Sequence, residues 1–127
     1  MSAVWSRGSR TRRPESGAAT AELALGIPLL LALTAGLVWM LAVGAAQVRV
    51  IDASREAARA VARGDDVASA QGVALRIAPE GARVRVEAGE SDVVVTTSAR
   101  VTGPGGLLGS LPGVTVSAEA VAVVEEG

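Results

Sequence analysis

Residues 23–46 read LALGIPLLLALTAGLVWMLAVGAA, twenty-four consecutive positions without a charge. A helix rising 1.5 Å per residue needs about 20 apolar residues to cross about 30 Å of hydrocarbon. A secretory signal's apolar core is only about 7–15 residues long. The length of this run therefore predicts a retained membrane-spanning helix, which leaves residues 47–127 to form one small domain. Arg7, Arg10, Arg12 and Arg13 precede the run. The excess of arginine on the cytoplasmic side of membrane helices puts the N-terminus inside and the C-terminal portion outside.

The run contains Gly26, Pro28, Gly36 and Gly44. Pro28 has no backbone N–H for the carbonyl of Ala24, so a kink near Pro28 is expected. Ala32, Ala35 and Gly36 would let a second helix approach closely. Gly44, Ala45 and Ala46 offer small residues for a signal peptidase, which defines an alternative: a soluble effector or binding domain released after Ala46.

Composition removes several chemistries. The chain has no His and no Cys, which excludes Cys/His zinc sites, thiol nucleophiles and histidine acid–base catalysis. No metal or other cofactor is expected. The serines and carboxylates form no nucleophile–base pattern, and no phosphate-binding or dinucleotide-binding loop occurs, so no enzyme is expected. Net charge is −1, but four Arg against one Glu give the first 17 residues a balance of +3. Residues 47–127 carry eight Arg against eleven acids. The basic end is a flank of the membrane segment, and direct nucleic-acid binding is not expected. Arginine as the sole cation, with abundant Ala, Val and Gly, is consistent with a GC-rich bacterial genome.

Glu22 lies just before the apolar run, five residues after Gly17. A carboxylate at that position is costly in lipid and is by default a functional hypothesis. A basic head, Gly17, four small or polar residues, Glu22 and a long apolar run resemble the processing signal of type IV prepilins. The resemblance implies cleavage between Gly17 and Ala18 by a membrane prepilin peptidase, with Glu22 becoming the fifth residue of the mature chain. It also implies that Glu22 pairs with the N-terminal amine of a neighbouring subunit in a filament. Gly17 suits a protease that must grip an extended backbone.

Residues 47–63 keep a helical period, with Val50, Ala53, Ala57, Ala60 and Val61 on one face and Asp52, Arg55, Glu56, Arg59 and Arg63 away from it. Pairs at i, i+3 spacing, Asp52 with Arg55 and Glu56 with Arg59, would support the helix weakly. One helix from about residue 20 to 63, ending at Gly64, is predicted. The segment DASREAARAVARG at 52–64 resembles the TadE-like minor pilins, or pseudopilins, of tight-adherence systems, with Arg55, Glu56 and Arg59 carrying the match.

Asp65 and Asp66 are placed to cap a second helix over 67–78, with Val67, Ala70, Ala74 and Ile77 on one thin face. The period then becomes two at 83–88, 93–101 and 114–124, with a hairpin turn at 89–92. A loop at 103–113 carries Leu107, Leu108 and Leu111, either as an interaction surface or packed under the sheet. The expected fold is α+β: a long N-terminal transmembrane and stalk helix with a small three-stranded antiparallel sheet domain, pilin-like. Its parts are a basic leader at 1–17, a transmembrane helix at 18–46, a helical stalk at 47–64 and an exported domain at 65–127. The expected partners are the membrane, a prepilin peptidase, other pilin subunits and the pilus assembly machinery. The expected function is that of a minor pilin or pseudopilin in the bacterial cell membrane or a surface pilus.

Overall fold

The computed structural model describes residues 12–103 and 113–124, so Leu107, Leu108 and Leu111 lie outside the described residues. The element order is α1 (Arg12–Ala62), α2 (Val67–Ile77), β1 (Arg83–Ala88), β2 (Asp92–Val101) and β3 (Val114–Val123). The fold is α+β, as expected. Packing divides the chain into two units, Met1–Leu37 and Val38–Gly127.

In the first unit the described chain is helix. The helix long and apolar enough to cross a membrane runs over Glu15–Ala62, and its most apolar stretch is almost wholly unburied. Leu23, Leu25, Leu29, Leu30, Leu31 and Leu33 are all exposed. Leucines facing outward all round a helix mark a surface made for lipid or for other helices. Helix assignment is continuous through Pro28. The helix starts at Arg12, earlier than the expected residue 20. The reason is local: Pro14 falls in the first turn, where a missing N–H costs nothing, Glu15 complements the helix's positive end, and Gly17 alone weakens the stretch by only about 1 kcal/mol.

In the second unit α1 ends at a glycine. Gly64 has φ +105. The Gly64 N–H bonds to the Val61 carbonyl at 3.0 Å, and the Asp65 N–H reaches the Ala60 carbonyl at 3.0 Å. This paired pattern satisfies the last helical carbonyls and turns the chain back. Asp66 occupies the N-cap position of α2 with extended backbone, but its side chain makes no cap hydrogen bond. The expected side-chain cap is therefore absent; instead the Asp66 carbonyl accepts the first helical bond, from the Ala70 N–H at 3.1 Å.

The sheet order is β1-β2-β3, antiparallel throughout. β2 is central, and its alternation is clean: Val93, Val95, Thr97 and Ala99 are buried, whereas Asp92 and Arg100 are exposed. Register sets Val86 and Ala120 beside Val95, and Val84 and Ala118 beside Thr97. This inner face packs on alanine. Ala53, Ala57, Ala58 and Ala60 of α1 and Ala70 and Ala74 of α2 form one cluster with Val93 and Val95. A second cluster joins Ala46 and Val50 to Ala99 and Val116, flanked by Val43 and Val101. The sheet therefore docks on α1 from about Val43 onward, reaching back before the expected boundary at residue 47. In the expected thin face of α2, Ala70 and Ala74 are buried, Ile77 is half-buried and Val67 is exposed.

Candidate assembly site

The residues expected to direct processing and assembly sit on one stretch of α1. Gly17, Ala18 and Glu22 are helical and exposed. The structure holds Gly17 inside the helix, before the expected helix start at about residue 20. A Cβ added at Gly17 would meet nothing within 4 Å, so glycine is not required there by packing. The Thr20 hydroxyl donates to the Ser16 carbonyl at 2.9 Å. That bond straddles the peptide between Gly17 and Ala18. Glu22 makes no ion pair among the described residues. Its carboxylate is thus displayed on an otherwise apolar surface, one residue before Leu23.

The motif at Arg55, Glu56 and Arg59 divides by chemistry. Arg55 and Arg59 are exposed, and Glu56 is half-buried. Between them Ala57 and Ala58 are buried in the core. Among the described residues Glu56 pairs with Arg63 at 3.9 Å, two helical turns away, and the expected i, i+3 pairs do not form. Both side chains of that pair are about half exposed, so it contributes little to stability. The alanines carry the packing of this segment and the charged residues face solvent.

Sequence reasoning missed a polar pin under the sheet. Ser54 and Thr97 are fully buried. The Ser54 Oγ lies 2.7 Å from Thr97 Oγ1 and 3.0 Å from the Ala118 carbonyl oxygen. A carbonyl only accepts, so the single Ser54 proton goes to Ala118 and Thr97 supplies the proton between the two hydroxyls. One helix residue thereby ties α1 to both β2 and β3. Gln47 adds a second tie, its Nε2 donating to the Ser117 carbonyl at 3.1 Å. The available signal was Ser54 within the apolar stripe and Thr97 at an inward position of the alternating strand. The alternative release site after Ala46 falls within α1, where Ala46 is 7% exposed and packed on Ala99 and Val116.

Comparison with known proteins follows the same segment. Residues 17–59 match the model of the family described as TadE-like protein. A protein of Mycobacterium tuberculosis named Apoptosis inhibitor Rv3655c is 46% identical over 81 residues. The match covers 64% of this chain and 58% of the relative, so the chain spans little more than half of that protein's length. No solved structure matches. The family match begins at Gly17 and ends at Arg59. The resemblance to TadE-like proteins is thus borne out over residues 17–59, the segment of α1 that holds Gly17, Glu22, the apolar run and the Arg55-Glu56-Ala57-Ala58-Arg59 motif.

Proposed function

We propose that this chain is a minor pilin or pseudopilin of a tight-adherence type pilus, acting as a structural subunit and not as a catalyst. A prepilin peptidase cuts it between Gly17 and Ala18, and the helix is then drawn into, or primes, a filament. The carrying observation is the TadE-like match that starts at Gly17, on a helix that displays Glu22 immediately before an exposed apolar run.

The geometry explains how one cut changes the chemistry of Glu22. In the uncut helix the amides of residues 18–21 have acceptors in residues 14–17. Cleavage removes those acceptors and creates an ammonium at Ala18. Three unpaired N–H groups, those of residues 19–21, and the new Ala18 ammonium then form the positive end of the helix, within the reach of a carboxylate. Glu22 of one subunit and the Ala18 amine of the next are complementary in charge, and leaving either unpaired in an apolar bundle is costly. Processing thus switches on a register-setting contact that the precursor lacks.

The N-terminal side is assigned to the cytoplasm in this reading. Arginine counts alone do not decide it, because Arg49, Arg55, Arg59 and Arg63 follow the run as closely as Arg7, Arg10, Arg12 and Arg13 precede it. The peptidase's cytoplasmic action decides it, and a tag placed at either end tests it by protease accessibility in whole cells.

The test of the reading uses Glu22→Ala and Glu22→Gln. Both are expected to insert in the membrane and be processed, and to be lost from sheared filament fractions. Normal incorporation of either variant would remove the assembly role. A second reading draws on the relative named an apoptosis inhibitor: a domain released after Ala46 that acts on a host cell. It requires free protein in the medium beginning at Gln47.

A further inference from the structure

Arg49, Arg83 and Arg100 are exposed at one end of the domain. That end is fixed by packing: Ala99, Val101 and Val116 of the sheet lie against Val43, Ala46 and Val50 of α1. One surface cavity there is lined by Ala42, Ala45, Ala46, Arg49, Arg100 and Thr102 among others. The adjoining notch is lined by Gly81, Arg83, Ser98, Arg100 and Thr115. Arginines and hydroxyls therefore meet the last two turns of the uncharged run. The remote end is mixed: Asp65 and Asp66 follow Arg59 and Arg63 at the end of α1, and Glu87, Glu90 and Asp92 surround the β1–β2 turn. Glu80 is the acid near the basic end.

Arg100 is also held in place. A Cβ at Gly113 would come within 2.8 Å of Arg100 Nε and 3.0 Å of its Cγ, so the side chain lies across the bare backbone of Gly113. About twenty residues of helix cross the hydrocarbon. The run has twenty-four, so its final turn lies at headgroup level, beside these guanidiniums. A guanidinium matches a phosphodiester in geometry as well as in charge, and arginine near an anionic membrane surface is attracted within a Debye length.

We propose that Arg49, Arg83 and Arg100 form a docking surface for the anionic lipid headgroups of the leaflet that the domain faces. The surface seats the arginine end of the sheet on the membrane. The proposal rests on residues 23–46 spanning a bilayer, and is independent of cleavage at Gly17.

The test uses the full chain, which has no cysteine of its own. A fluorophore is attached at Thr102→Cys in one sample and at Ser91→Cys in another. Each is reconstituted in vesicles of phosphatidylcholine alone or with phosphatidylglycerol, with a quencher on the headgroups. Quenching at position 102 is expected to rise when phosphatidylglycerol is present, to fall back in high salt, and to change little at position 91. The headgroup association should weaken roughly fivefold per arginine removed, and be lost in the triple variant Arg49→Gln, Arg83→Gln, Arg100→Gln. The corresponding triple lysine variant should keep most of it, which separates charge from misfolding. Equal quenching in both lipids, a glutamine variant that behaves like the parent, or a lysine variant that fails as fully would overturn the proposal. Inorganic phosphate at matched ionic strength should act no more strongly than chloride. A phosphate-specific loss would assign the surface to a soluble phosphate ligand and overturn the lipid assignment.

Discussion

Ser54 shows how one hydroxyl can hold a helix to two strands. Replacing it by alanine leaves the buried Thr97 hydroxyl and the Ala118 carbonyl each short of a partner. An unsatisfied buried polar group costs about 1–3 kcal/mol, so Ser54→Ala is expected to lower the thermal midpoint of the detergent-solubilised chain clearly. The double variant Ser54→Ala, Thr97→Val removes the pin as a pair and should cost less than the two single variants combined. Strict additivity would show that the hydroxyls do not act together. Gly17 permits a similarly clean experiment. Because an added Cβ there meets nothing, Gly17→Ala should leave folding intact and stabilise the local helix by about 0.5–1 kcal/mol. The uncut precursor is expected to accumulate on immunoblots. Normal processing of that variant would show that the peptidase does not read Gly17.

Among the elements, the strands and the body of α1 were legible because their periods are simple. Alternation at 83–88 and 93–101 and an uncharged run of twenty-four leave few other arrangements. The early start of α1 was not legible, since the helix was expected to begin only at about residue 20. Asp66 carried a capping signal that its side chain does not fulfil. The thin alanine face of α2 was underrated for a physical reason. Alanine offers little area, but it brings Ala70 and Ala74 close enough to bury fully against Ala57 and Val95. Close packing of this kind has no spare room. Ala57→Leu is expected to destabilise the domain by about 1–3 kcal/mol, read as a lower thermal midpoint. Gly64 ends α1 at φ +105; Gly64→Ala should cost about 1 kcal/mol, because only glycine holds that backbone without strain.

At the scale of the molecule, one helix carries an exposed apolar stretch and a buried one. Its exposed leucines make a surface for the bilayer or for partner helices. Its stretch from Val43 to Val61 forms the floor of the domain. The family resemblance was legible as a pattern of residues, Gly17 and Glu22 before an apolar run, and the family match covers 17–59. The Ser54 pin and the arginine end of the sheet were not legible, because both depend on strand register and on which helix turn each strand meets. The central claim is that Gly17 is a cleavage boundary and that Glu22 is an assembly residue whose partner amine the cut creates. The most direct measurement is the N-terminal sequence of the protein purified from its native cells. The account predicts a chain beginning at Ala18; a chain that retains Met1 or Ser2, or that begins at Gln47, would contradict it.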